Sequence, residues 1–246
     1  MTSRPTLVFG RNPVLACLRA KKRPVHQLFL LDSGKGLQDI LDAAAGRPVK
    51  LVDRRTLDNM CGGANHQGAI LEAGPLPKLS LEAWLDGQSP EGGLVVLLDS
   101  IEDPQNLGAI ARSAAACGVQ ALVHPRDRSA TFTPAAAKVA AGALEYLHVL
   151  EVTNLVRAIG ALKDAGYWIA GLAAEGDRML WQADFTLPTG LVVGNEGKGM
   201  RRLVRDKCDT LVRIPISGPI TSLNASVSAA IALYECARQR DAAENR

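Results

Sequence analysis

The sequence predicts an α/β protein in two parts: a small N-terminal α+β unit over residues 1–74 and, after a linker over 75–93, an α/β domain with a mostly parallel sheet over 94–246. Three observations predict it. Pro75, Pro77, Pro90 and four glycines crowd the stretch from Ala73 to Gly93, a density of breakers that marks a boundary. Beyond Leu94, short and nearly continuous apolar runs alternate with helical patterns, as in a parallel sheet covered on both faces. The charge is also unevenly placed, with residues 1–74 carrying 11 Lys/Arg against 6 Asp/Glu and the remainder 17 against 19.

In the first part, Asn12-Pro13 reads as a helix start, with Asn12 as cap and Pro13 in the first turn, leading to about Ala20. Gln27 to Leu31 reads as a buried strand, Leu37 to Ala45 as a helix and Val49 to Val52 as extended. Arg54 to Met60 is a short helix ending at Gly62-Gly63, and Gly68 to Glu72 is another strand. The linker holds one amphipathic turn, Leu79 to Leu85. In the second part the strands are Leu94–Leu98, Ala121–His124, Leu147–Leu150, Trp168–Leu172, Leu191–Val193 and Leu211–Ile214. Helices over Asn106–Ala116, Pro134–Ala141, Leu155–Ala165, Arg201–Lys207 and Asn224–Arg240 fill the intervals and close the chain.

Composition bounds the function. The chain is 47% hydrophobic and 22% charged, enough apolar content for a core, and no apolar run approaches the roughly 20 residues of a membrane span. The opening lacks the pattern of a secretory signal; Phe9-Gly-Arg-Asn-Pro-Val reads as folded domain, and a cytoplasmic location is expected. Cys17, Cys61, Cys117, Cys208 and Cys236 are scattered without a C-x-x-C pair, and His26, His66, His124 and His148 show no metal-ligand spacing. Neither a disulfide framework nor a metal is expected. Arg4, Arg11, Arg19, Lys21, Lys22 and Arg23 all precede the first acid, Asp32, and form either a phosphate-contacting patch or a solvated surface.

Three loops carry chemistry, each directly after a predicted strand, where ligands of parallel sheets sit. In the first, Asp99 to Arg112, Asn106 can cap the helix, Gly108 keeps its first turn free of bulk and Arg112 follows near the strand-end crevice. The second, Val192-Val-Gly-Asn-Glu-Gly-Lys-Gly-Met, has three glycines in six residues. It is neither a P-loop nor a dinucleotide fingerprint. The third runs from Ile214 to Ser226 and is rich in donors and acceptors; Ser222, Asn224 and Ser226 can cap the last helix or hold a polar ligand.

In this order the three loops resemble motifs 1, 2 and 3 of the SpoU (SPOUT) RNA 2′-O-methyltransferases: D-P-x-N-x-G-x-x-x-R, G-N-E-G-x-G, and I-P-(x)n-S-L-N. The resemblance covers Leu94 to about Arg240. The first part is similar to the substrate-binding domain often attached to that family, through Phe9-Gly-Arg-Asn-Pro-Val and Asn65-His66-Gln67-Gly68. Val152-Thr-Asn-Leu-Val-Arg and Met200-Arg-Arg-Leu point to the branch that methylates a guanosine of 23S ribosomal RNA.

The resemblance implies a trefoil-knotted catalytic domain, S-adenosyl-L-methionine as methyl donor, an RNA substrate and a homodimer formed through the knotted domains. It places Gly194, Ile214 and Leu223 at the cofactor's adenosine end, with Asn195 and Gly199 in the same loop. Arg112 matches the family arginine proposed to activate the ribose hydroxyl. Asn106, Glu196, Ser222 and Asn224 match the remaining polar positions, with Glu196 either pairing with Arg112 or holding its own loop. RNA contacts are expected from Arg11, Arg19, Lys21, Lys22 and Arg23; His66 either contacts RNA or, the favoured reading, fixes the turn before the Gly68 strand. Alternatives stay open: a transfer RNA or another ribosomal site as substrate, a non-catalytic RNA-binding factor, and, remotely, a nucleotide-dependent oxidoreductase.

Overall fold

Apolar residues at alternating positions need a second surface to bury them, and in the first part of the chain three helices supply it. The computed structural model describes residues 5–34, 36–87, 93–127, 129–130 and 132–245. Arg4 and Pro90, named above, lie outside the described residues. Two compact units emerge, one of Met1–Pro77 with Ala141–Tyr146 and one of Lys78–Ala140 with Leu147–Arg246.

The first unit is a four-stranded sheet of β1 (Thr6–Phe9), β2 (Val25–Leu31), β3 (Val49–Val52) and β4 (Ala69–Ala73) in the order β1-β4-β2-β3. β4 runs antiparallel to β1 and β2, whereas β2 and β3 are parallel. Helices α1 (Arg11–Ala20), α2 (Gln38–Ala44) and α3 (Arg54–Met60) accompany it. Val14, Cys17, Leu18, Leu28, Leu30, Ile40 and Leu71 meet in its core. The cap of α1 is Gly10, with φ +99°, and not Asn12. The Gln67 Oε1 accepts from the Arg11 amide at 3.0 Å, satisfying a first-turn donor that a capping side chain would otherwise take.

Residues 141–146 belong to this unit although they lie far along the chain. Gly142 (φ +95°) comes so close to α1 that a Cβ there would sit 2.7 Å from that of Ala16. Beyond it, Glu145 receives the Arg23 guanidinium: Nε donates to Oε2 at 3.2 Å, Nη2 to Oε1, and Nη1 reaches the Gly74 carbonyl at 3.1 Å. The two side chains are 6% and 4% exposed.

The second unit opens with α4 (Leu81–Asp86), inside the stretch read as linker; Ser80 caps it, and Leu81 and Trp84 are buried in the domain's main core. The sheet comprises β5 (Leu94–Asp99), β6 (Ala121–Pro125), β7 (His148–Val152), β8 (Trp168–Leu172), β9 (Arg178–Met179), β10 (Thr189–Gly194) and β11 (Thr210–Arg213). Their order is β7-β6-β5-β10-β8-β11-β9, and every pairing is parallel. The six residues of β5 are all buried, which is why that segment shows no polar alternation.

Helices α5 (Pro104–Ala116), α6 (Pro134–Ala140), α7 (Leu155–Asp164), α8 (Arg202–Arg205) and α9 (Ala225–Glu244) complete the unit. α4, α7 and α8 cover one face through Trp84, Leu155, Ile159, Leu162 and Val204, packed on Val95, Leu97, Val123 and Ile169. α5 packs against α6 and α9, and α9 reaches β10. Gly108 is required by this packing, since its Cβ would lie 2.5 Å from the Ala136 carbonyl oxygen of α6. The cap of α5 is Asp103, which accepts from the Gln105 amide at 2.9 Å, with Pro104 first in the helix; Asn106 is therefore a helix-interior residue and not the cap.

Because β5, β10, β8 and β11 are neighbours in the sheet and all run the same way, the loops that leave their carboxyl ends converge. That convergence positions the site.

Candidate active site

The loop after β10 is a closed turn. The Asn195 amide donates to the Gly199 carbonyl at 3.1 Å and the Gly199 amide returns to the Asn195 carbonyl at 2.9 Å. The Asn195 side chain fills the turn, its Oδ1 accepting from the amides of Gly197 (2.9 Å) and Lys198 (3.2 Å). Gly199 sits at φ +64°. At Gly194 the need for glycine is internal, since a Cβ there would lie 2.5 Å from the carbonyl carbon of Gly199. The doubled-back chain, rather than a ligand, accounts for that glycine.

The turn is fastened to the end of β5. Asn195 Nδ2 donates to the Ser100 carbonyl at 3.0 Å, and Ser100 holds φ +61°. Asp99, 0% exposed, accepts from the Arg201 amide at 2.7 Å and from Arg201 Nε at 2.6 Å. A carboxylate so enclosed is tolerable only with charge-assisted partners, and Arg201 supplies two. Sequence reading missed both residues, whose 102-position separation gives no local pattern.

A cavity of about 410 Å³ opens among the loops after β8, β10 and β11, within the range of small-molecule sites. Gly194, Asn195, Glu196, Gly199, Ile214, Ser222 and Leu223 all line it. Met200, Ile214, Ile216 and Leu223 give it apolar wall, and Glu175, Glu196, Lys198 and Arg205 give it charge. Asn224 joins the loops across its edge: Nδ2 donates to Glu196 Oε2 at 2.9 Å, while Oδ1 caps α9 through the Ser226 amide at 2.9 Å. Asn224 thus caps α9, as one sequence reading had it, and also holds Glu196, a partner the sequence did not suggest.

Asn106 and Arg112 ride on α5 and are not among the cavity's lining residues. Arg112 is exposed and, among the described residues, makes no ion pair or hydrogen bond. Glu196 and Arg112 are not paired, since Asn224 holds Glu196.

The RNA-contact candidates divide. Arg19 and Lys21 are exposed, and Arg11 is half-exposed beside Asp39 at 3.4 Å. Arg23 is buried against Glu145 and does not offer its charge to solvent, a correction to the expected patch. Lys22 is half-buried; burial lowers its ammonium from the usual range, with the Glu145 charge opposing. His66 is also buried: Nδ1 accepts from the Gly68 amide at 3.0 Å, so Nε2 carries the hydrogen toward Asp58 Oδ1 at 3.1 Å. It fixes the turn before β4 and is not exposed for RNA. The cysteines are free thiols, and among the described residues no cluster suits a metal. No helix there is long and apolar enough to cross a membrane.

Comparison with known proteins identifies the family. The profile of the SpoU rRNA Methylase family matches residues 93–234, and that of RNA 2′-O ribose methyltransferase substrate binding matches residues 7–79. The chain is 43% identical over 240 residues to the 23S rRNA (guanosine-2′-O-)-methyltransferase RlmB of Pseudomonas aeruginosa, covering 95% of this chain and 96% of the relative. It is 44% identical over 241 residues to an uncharacterized tRNA/rRNA methyltransferase of Mycolicibacterium smegmatis, covering 95% and 76%. Among solved structures, it resembles the SpoU methyltransferase AviRb of Streptomyces viridochromogenes in complex with AdoMet. The TM-score is 0.78 at 27% identity, over 97% of this chain and 91% of that one.

Proposed function

The chain belongs to the SpoU rRNA methylase family, and from that membership we propose that it methylates the ribose 2′-hydroxyl of one guanosine in 23S ribosomal RNA, with S-adenosylmethionine as donor. The observation that carries the reading is the meeting of the loops after β10 and β11 in one cavity, joined by the bond from Asn224 to Glu196. The cavity fits an adenosyl group. Ile214, Leu223 and Met200 offer apolar surface to an adenine, beside the turn that Gly194 and Gly199 close.

When bound, the donor supplies a methyl group activated by a sulfonium charge. What remains for the protein is the nucleophile, a neutral alcohol that must lose its proton. Arg112 offers a fork of N–H donors and no acceptor. Its role is therefore to stabilise the developing alkoxide rather than to accept the proton. Asn106, six residues earlier on α5 and on another face of the helix from Arg112, contacts the ribose, while Glu196 and Ser222 line the cavity and Asn224 holds Glu196.

Arg112 lies outside the cavity lining, which supports a homodimer in which α5 of one protomer serves the cavity of the other. Exposed Val227, Ile231 and Tyr234, spaced along one side of α9, offer an apolar stripe for that association. Arg11, Arg19 and Lys21 remain the RNA-facing charges of the first unit. The trefoil knot and the cytoplasmic location belong to the same proposal, supported by the family alone.

The test is methyl transfer from labelled S-adenosylmethionine to unmethylated 23S rRNA and, separately, to bulk tRNA, with the labelled nucleotide mapped. One labelled guanosine in 23S rRNA is expected. Label in tRNA instead would overturn the substrate while keeping the chemistry, and label in neither would overturn the enzymatic reading.

A further inference from the structure

The cavity's ion pair between Glu175 and Arg205 belongs to none of the three motif loops. Glu175 follows β8 by three residues, and β8 lies beside β10 with Leu172 opposite Val193, so the carboxylate rises at a strand end next to the Gly194 turn. Arg205 ends α8, and its Nη1 donates to Glu175 Oε1 at 3.0 Å. Both residues line the cavity shared by Gly194, Ile214 and Leu223.

The carboxylate is held rather than loose. The Gly176 amide bonds the Ala173 carbonyl at 3.1 Å, closing a turn around Glu175, and the Ala173 amide bonds the Val212 carbonyl at 2.9 Å. Gly176 lies against β11 so closely that a Cβ would sit 2.8 Å from the Val212 carbonyl carbon. The backbone amide of Glu175 and then Arg205 hold its carboxyl below the usual carboxylate range. The group is therefore an ionised, acceptor-only oxygen pair, with Arg205 engaging Oε1.

A carboxylate at the carboxyl end of a parallel strand, beside an apolar slot for an adenine, is placed to accept from the hydroxyls of the attached ribose. Building on the cofactor reading above, we propose that Glu175, oriented by Arg205, accepts hydrogen bonds from the ribose cis-diol of the bound adenosyl group and so selects a ribonucleoside cofactor. Arg205 is a positioning residue: it fixes Glu175 and leaves the diol contact to the carboxylate.

Calorimetric titration of the full chain with S-adenosylhomocysteine and its 2′-deoxy and 3′-deoxy analogues tests this. In the wild-type protein, removing a hydroxyl that meets a charged acceptor is expected to weaken binding roughly tenfold or more. In Glu175→Ala the natural ligand weakens to about the level of the deoxy analogues, and the discrimination falls to within about twofold. Glu175→Gln, which keeps a neutral acceptor, and Arg205→Ala are expected to fall between.

Undiminished discrimination in Glu175→Ala overturns the inference while leaving the cofactor site intact, and so does an equal loss for all three ligands. Failure of the wild-type protein to bind S-adenosylhomocysteine at all would bring down the cofactor reading itself. Glu175 is exposed, so its replacement is expected to leave the fold in place, as far-UV circular dichroism of each variant would show.

Discussion

Arg112 stands exposed on α5 with its charge unspent on any described neighbour, while most other arginines around the cavity are paired: Arg201 with Asp99, Arg205 with Glu175, Arg202 with Asp206. A cation left without a protein partner is available to a negative charge that exists only during reaction. Arg112→Ala is therefore expected to lower kcat by at least about a hundredfold, the size associated with losing one oxyanion stabiliser. Folding and S-adenosylhomocysteine affinity should stay within about twofold, as single-turnover methylation and calorimetry would show. Turnover near the wild-type rate would remove Arg112 from the chemistry. At this scale residue types were legible but partners were not. Asp103 and Asn106 are both good caps, and only the backbone shows that Asp103 takes the role. Arg23 reads as a contact for RNA because burial cannot be seen from a neighbour in sequence, and Glu145 claims it instead; His66, read first as fixing a turn, bonds the Gly68 amide and Asp58.

Among the elements, the strands were the most legible, since apolar runs of five or six residues between helices leave few other readings. β9, with two residues, was too short to stand out from its surroundings, and β1 was not read although β3, equally short, was. The helix inside the supposed linker was underweighted because prolines on both sides hide a capped, buried turn. The turn after β10 carries a sharper consequence. Its glycine at 194 faces Gly199 at a distance no Cβ tolerates, so Gly194→Ala must open the Asn195–Gly199 bridge. The expected result is a stability loss of about 1–3 kcal/mol in urea, as for other overpacked sites, with S-adenosylhomocysteine affinity falling at least tenfold. Wild-type affinity in that variant would mean that the turn's shape is irrelevant to the ligand.

At the scale of the whole molecule, the chain passes between its two units three times, because residues 141–146 complete the first unit from within the sequence of the second. Glu145 is the charge that this segment brings, and Arg23 is the charge that needs it. Glu145→Ala strands a buried guanidinium and is expected to cost about 3–5 kcal/mol in chemical denaturation. Adding Arg23→Met should recover most of that, and no recovery would show that the pair is incidental. Nothing in the sequence marks this segment, since 122 residues separate the partners and neither lies in a motif.

The first unit is therefore not a portable module. A gene fragment ending at Pro77 encodes the sheet and helices of the substrate-binding half, but leaves Arg23 without its counter-charge and α1 without the glycine seated beside it. Recombination that trades this half between relatives would have to trade six codons from the middle of the catalytic half as well. The first unit is therefore expected to fold only when that distant segment is supplied with it, which a cut at the linker does not do.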